Sequence, residues 1–259
     1  FRRVLFRSDR NELRLLYQPK FHAPAGPVLG FEALLRWQHP KQGLLPPDLF
    51  LPLAEKTGLI IPIGNWVIDE ACRQLREWHL QGHTDWSMAV NLSTLQFEQP
   101  SLVKTVLDCL TRHSVPPGML ILEVTETTAM NNPDESVRVL TALTDAGVKA
   151  SIDDFGTGYS SLLYLKRLPA CELKIDRAFV KELSGESEDA TIVSAIVALA
   201  KTLNLKVVAE GVETAAQQTF LTELGCNTLQ GYLLGKPITA QAIMEQCQHG
   251  EMSPPRAQS

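Results

Sequence analysis

Six oxygen-bearing side chains interrupt otherwise apolar runs. They are Glu32 in Phe31-Glu-Ala-Leu-Leu-Arg-Trp37, Asn91 ending Met88-Ala-Val-Asn91, Glu123 in Leu120-Ile-Leu-Glu-Val-Thr-Glu126, Asp153 and Asp154 closing Ala150-Ser-Ile-Asp-Asp154, and Glu210 closing Val207-Val-Ala-Glu210. A carboxylate in an apolar strand is costly unless it is paired, hydrogen-bonded or bound to metal. Several aimed at one mouth repel one another, and divalent cations relieve that repulsion. The set contains only oxygen donors, which suits Mg²⁺ or Mn²⁺ better than Zn²⁺. The Asp153-Asp154 pair has one carboxylate available to bridge two ions, the arrangement that activates water and stabilises a leaving oxygen in phosphodiester cleavage. Lys174, in Leu173-Lys-Ile-Asp176, could orient that water or neutralise a phosphate. Taken singly, a strand carboxylate is most often outward-facing and solvated, and Lys174 could simply pair with Asp176 or Glu172. Five carboxylates and one amide gathered on five strands share that bland reading poorly. The six histidines have no metal-ligand spacing, and His39, beside Pro40, reads as a loop residue.

The elements that must position these groups follow from short β-rich runs: Leu13 to Phe21, Val28 to Trp37, Trp86 to Ser93, Leu120 to Glu126, Val148 to Phe155, Glu172 to Phe179, Lys206 to Val212 and Thr228 to Gly235. Amphipathic segments lie between them. Val67, Ala71, Leu75 and Trp78 form one helical stripe, and Ile192, Ile196, Leu199 and Leu203 another. Asn132-Pro133-Asp134-Glu135 reads as a helix start, with a capping residue, a proline at the first position and a glutamate at the third. Strands alternating with helices and no domain-boundary linker predict one closed (β/α)₈ barrel of the TIM type, with reacting groups at the carboxyl ends of the strands. His22 to Pro27 is too short for a helical crossover, so the first two strands should pair antiparallel and the barrel is a modified one. The loop Asp154 to Ser161 has two glycines and a serine able to cap a helix starting near Ser160, and is a candidate lid or metal-site support.

Composition narrows the classes. The chain has 259 residues, 44% hydrophobic and 20% charged, with a formal charge of 24 − 29 = −5. That is a globular composition without the basic footprint of a nucleic-acid wrapper, so a polymeric nucleic-acid partner is disfavoured. Five cysteines without CxxC spacing read as reduced thiols, and no apolar run is long enough to span a membrane. A cytoplasmic location with no membrane contact by this stretch is expected. Residues 1–11 are set aside as a fragment or linker and 249–259 as a frayed tail, leaving 12–248 as the domain.

The motifs together resemble the EAL domain family, phosphodiesterases of the bacterial second messenger cyclic di-GMP. The resemblance rests on Glu32-Ala33-Leu34-Leu35-Arg36-Trp37, Tyr17-Gln18-Pro19, Asn91-Leu92-Ser93, Glu123-Val-Thr-Glu126, Asp153-Asp-Phe-Gly-Thr-Gly-Tyr-Ser-Ser-Leu162, Leu173-Lys-Ile-Asp176, Ala209-Glu-Gly-Val-Glu213 and Gln230-Gly-Tyr232. It implies two ions, Mg²⁺ or Mn²⁺. Glu32, Asn91, Glu123 and Asp153 would hold one, and Asp153, Asp154 and Glu210 the other. Lys174 would assist the water, with Glu210 sharing the catalytic role. Gln18, Leu34, Arg36, Glu213 and Gln230 would seat the nucleotide, and Glu126 would anchor the Asp154 to Ser161 loop. The family barrel has an antiparallel first strand. Two departures stand out: Lys20 where an aliphatic residue is usual, and Leu234-Gly235 before Lys236-Pro237.

The resemblance further implies hydrolysis of cyclic di-GMP to linear 5′-pGpG, a homodimer formed near the Asp154 to Ser161 loop, and an upstream sensor or GGDEF domain that could anchor the full-length protein to a membrane. A rival from another class is a catalytically silent receptor that captures cyclic di-GMP. A third is a Schiff-base aldolase using Lys174.

Overall fold

The computed structural model describes residues 12–23, 26–158, 162–183, 187–250 and 252. Among the described residues there are nine strands: β1 (Leu13–His22), β2 (Val28–His39), β3 (Gly43–Leu45), β4 (Ser87–Leu92), β5 (Leu120–Thr125), β6 (Lys149–Phe155), β7 (Glu172–Ile175), β8 (Lys206–Ala209) and β9 (Thr228–Leu229). Eight of them close a ring. β2, β4, β5, β6, β7, β8 and β9 run parallel in that order, and β1 closes it, antiparallel to both β2 and β9. This is the expected modified (β/α)₈ barrel. The short turn between β1 and β2 leaves no room for a crossover, so the pair forms a hairpin. β3 extends β2 outside the ring and pairs through Trp37↔Leu45, Gln38↔Leu44 and His39↔Gly43.

Helices cover the outer face. Helix Ile60–Leu80 buries Val67, Ala71, Leu75 and Trp78, the stripe read from the sequence, and packs on β4 and on helix Leu102–His113. Asn132 caps helix Pro133–Asp145 by accepting from the Glu135 amide. Helix Glu188–Thr202 turns the expected stripe only partly inward, with Ile196 buried and Leu199 and Leu203 half-buried against the core. Its buried residues are Ala190, Val193, Ile196, Val197 and Ala200, whereas Ile192 is exposed. The small alanines at i, i+10 complete a stripe with the two valines, and Ile192 falls off its edge.

Three strands are shorter than their apolar runs. β7 stops at Ile175 because the Asp176 side chain accepts from the Ala178 amide and starts helix Arg177–Lys181. β8 stops at Ala209 and β9 at Leu229, after which the chain turns through Gln230 to Gly235. The expected helix start near Ser160 falls at 159–161, outside the described residues; the helix is described from Leu162 to Leu165. Of the expected tail, 249–259, only His249, Gly250 and Met252 are among the described residues.

Candidate active site

The barrel strands deliver their polar residues to one end. In a parallel barrel neighbouring strands are in register there: Asn91 lies beside Glu123, and Asp153 beside Thr125. Lys174 is the centre. Its Nζ donates to Glu123 Oε2 at 2.8 Å and to Asp153 Oδ2 at 3.0 Å. It is ion-paired with Glu210 Oε1 at 2.6 Å and lies 3.9 Å from Glu32 Oε2. Four carboxylates on four strands or strand ends therefore converge on one fully buried ammonium. Lys174 does not pair with Asp176 or Glu172. Burial alone would lower its pKa, but Asp153, Glu123 and Glu210 more than offset this and hold it well above the ordinary lysine value. The ion pairs that occupy Lys174 Nζ leave it no free amine for a Schiff base, which speaks against the aldolase reading.

Glu32 is fixed from both sides. Its Oε1 accepts from Asn91 Nδ2 at 2.6 Å and its Oε2 from Gln230 Nε2 at 2.6 Å. Burial pushes its carboxyl up, and Lys174 with these two hydrogen bonds more than offsets that, leaving it below the usual range. Because Asn91 spends its amide hydrogen on Glu32, its carbonyl oxygen is left as a donor toward a cation.

Consecutive strand residues face opposite ways, so Asp153 and Asp154 could not both reach the mouth from a regular strand. β6 solves this with an irregularity. Its register to β7 slips between Ile152 and Phe155, and Asp154 sits in the left-handed region at φ 52°. Asp153 Oδ1 accepts from the Asp154 amide at 2.8 Å. Asp154 reaches Asp176, and burial, the Asp153 charge and the Asp176 contact push its carboxyl up to about 6. Asp176 thus stands beside Asp154 and not beside Lys174. Burial likewise pushes Glu210 up to about 8, against Lys174 and with the Asp153 and Glu32 charges. Glu123 is raised well above its ordinary value, by burial first.

Glu126 is buried at the start of helix Glu126–Asn131, and its Oε2 accepts from the Gly156 amide at 2.8 Å. Of the residues expected to seat a nucleotide, Gln18 and Gln230 are buried together. Gln230 Nε2 donates to Gln18 Oε1 at 3.1 Å, and Gln18 Nε2 to the Gly235 carbonyl at 3.0 Å. Leu34 and Arg36 are half-buried on β2, with Arg36 Nη1 on the Leu35 carbonyl at 2.8 Å. Glu213 is exposed, and its amide donates to Gln217 Oε1 at 2.8 Å.

The donor set suits a hard divalent cation. Four carboxylates, Glu32, Glu123, Asp153 and Glu210, meet the Lys174 ammonium with Asp154 beside them, and Glu123 Oε1 is buried without a hydrogen bond. The side chains gather on Lys174 Nζ, and among the described residues no three His, Cys, Asp or Glu already surround a metal-sized position. Uncompensated negative charge built from oxygen alone is what Mg²⁺ or Mn²⁺ would relieve.

Comparisons with known proteins agree with the fold. The bifunctional diguanylate cyclase/cyclic di-GMP phosphodiesterase MucR of Pseudomonas aeruginosa is 64% identical over 236 residues, covering 91% of this chain and 34% of MucR. The cyclic di-GMP phosphodiesterase NbdA of the same organism is 46% identical over 243 residues, covering 94% of this chain and 31% of NbdA. The chain thus spans about a third of the length of these curated relatives. A solved structure, the PaMucR phosphodiesterase in complex with c-di-GMP, superposes with a TM-score of 0.89 at 65% identity, covering 91% of this chain and 95% of that one. The family model for the EAL domain matches residues 2–237, and this chain belongs to that family.

Proposed function

We propose that residues 12–248 form a phosphodiesterase domain that cleaves one ester of cyclic di-GMP to linear 5′-pGpG, using two divalent ions, Mg²⁺ or Mn²⁺. The observation that carries this reading is the convergence of Glu32, Glu123, Asp153 and Glu210 on Lys174 Nζ at the carboxyl end of the barrel. Glu32, Asn91, Glu123 and Asp153 would hold one ion, and Asp153, Asp154 and Glu210 the second. Bound there, the ions would make water nucleophilic at neutral pH and offset charge on the phosphate. The product keeps phosphate on the 5′ oxygen, so water oxygen bonds to phosphorus while the bond from phosphorus to the 3′ oxygen breaks and that oxygen takes a proton. Lys174 Nζ, whose three hydrogens face Glu123, Asp153 and Glu210, would donate one of them to the attacking water or to a phosphate oxygen once a carboxylate turns to a cation. Glu210, ionised once a cation binds beside it, would be the neighbouring carboxylate that takes the water proton. Gln18 and Gln230 orient Glu32, and with Leu34, Arg36 and Glu213 would line the nucleotide seat. Glu126 would keep the loop after Asp154 ordered through Gly156.

Incubation of the purified protein with cyclic di-GMP and Mg²⁺ or Mn²⁺ should yield the linear dinucleotide. Chelation with EDTA should stop turnover, and restoring Mg²⁺ should recover it. Turnover that survives EDTA would remove the two-ion mechanism. Tight binding with no linear product at any protein concentration would replace the enzyme reading with that of a receptor.

A further inference from the structure

Beneath the carboxylate cluster the barrel holds a second buried cation to which the proposed reaction assigns no role. Strand residues two apart share a face, so Lys20 lies one layer below Gln18, Ser151 below Asp153, and Glu172 below Lys174. Interiors of such barrels are filled mainly by branched apolar side chains, and a buried ammonium is tolerated only with good partners. Lys20 is 3% exposed. Its Nζ donates to Glu172 Oε1 at 3.2 Å and stands 3.5 Å from Glu123 Oε1. Burial opposes its charge, but the facing Glu172 and Glu123 carboxylates outweigh burial and keep it protonated.

The two oxygens of Glu123 therefore face two different ammoniums. Oε2 accepts from Lys174 at 2.8 Å, while Oε1 meets Lys20 at 3.5 Å and has no hydrogen bond of its own. Rotating the carboxylate plane would lose both contacts. We infer that Lys20 is a positioning residue: from the layer below, it fixes the plane of the Glu123 carboxylate so that Oε2 faces the mouth as a cation ligand. The inference rests on the proposed role of Glu123 as a metal ligand. A merely structural Lys20 would instead do no more than neutralise Glu172.

Mn²⁺ titration calorimetry on the chelator-stripped full chain, with thermal melting beside it, separates these roles. Lys20→Met should bind Mn²⁺ about 10-fold more weakly, in the range typical when a group supporting a ligand is lost. Glu172→Gln, which leaves Lys20 free to turn to Glu123, should bind Mn²⁺ within about twofold of the parent, well below that range. The double variant Lys20→Met/Glu172→Gln should regain melting temperature relative to Lys20→Met yet keep the weakened affinity. Lys20→Gln, which removes the charge and retains a donor, should show the same affinity loss with a smaller stability loss. A double variant with parental affinity, or a Glu172→Gln loss as large as that of Lys20→Met, would overturn the inference while the two-ion reading stands. A parent protein that takes up no Mn²⁺ would overturn both.

Discussion

Four carboxylates converge on Lys174 at the mouth and Asp154 stands beside them, so negative charge there is in excess, and individual substitutions should be felt unequally. Asp153→Asn removes a charge from the carboxylate proposed to touch both ions and weakens a partner of Lys174; turnover should fall by about 10²-fold or more, beyond the usual effect of a supporting residue. Glu126→Gln still offers Gly156 an amide oxygen and should cost about 10-fold. Initial rates at saturating Mg²⁺ give the ranking, and equal residual rates would contradict it. The same imbalance sets a pH dependence in the metal-free protein. Glu210 rises from 4.5 to about 8 and Asp154 from 3.8 to about 6. Each binds its proton more tightly folded than unfolded, so stability falls as pH climbs through that window. Glu32 and Glu172 shift downward and act only below about their ordinary value of 4.5. In chelator the melting temperature should be lower at pH 8 than at pH 5, and Mg²⁺ should restore more at pH 8. A melting temperature in chelator that is level or higher at pH 8 would refute this.

At the scale of elements, the short β9 has a strict requirement just beyond its end. A Cβ added at Gly231 would lie 2.1 Å from the Val212 carbonyl oxygen and 2.2 Å from its nitrogen, both backbone atoms that cannot step aside. Gly231→Ala should therefore cost roughly 3 kcal/mol, the upper end for overpacking, or about 6 to 12 °C in melting temperature, and it should displace Gln230 from Glu32. A melting curve within 2 °C of the parent, against that scale, would show that the turn can relax. The eight ring strands were legible as apolar runs because each carries core side chains on its outer face. Their ends were less so. Asp176 capping a helix cut β7 short, and the turn after Leu229 looked like strand because its Tyr-Leu-Leu is apolar. β3 has three residues, too few for a periodic signal. The acid cluster was legible because carboxylates at strand ends have few other homes. The slip that turns Asp154 inward was not, since it depends on a local backbone angle, and neither was Lys20, whose neighbours on β7 and β5 come from distant sequence.

For the whole molecule, the apolar surface beside the site is the remaining feature to test. Leu162 and Leu163 are 59% and 69% exposed just past the Asp154 loop, and Ile192 is exposed on helix Glu188–Thr202. A second copy covering Leu162 and Leu163 would press on the segment that leads to Asp153 and Asp154, so specific activity should rise with protein concentration across a monomer–dimer transition, measured with native mass in parallel. Activity per subunit that stays flat while mass doubles would separate assembly from catalysis. The reversed first strand has its own consequence for this chain as a component of something larger. β1 runs against its neighbours, so Leu13 pairs with Trp37 at the mouth end while His22 lies at the floor. Glu12 is fastened there, its carbonyl accepting from the Gln38 amide at 2.7 Å and its carboxylate from Trp37 Nε1 at 3.2 Å. The polypeptide thus enters this barrel at its reactive rim, where an ordinary barrel would be entered from below. Any module tethered ahead of Glu12 is held beside the mouth at an effective concentration set by its linker, so it can shade or prop the entrance by proximity, with no signal needing to cross the core.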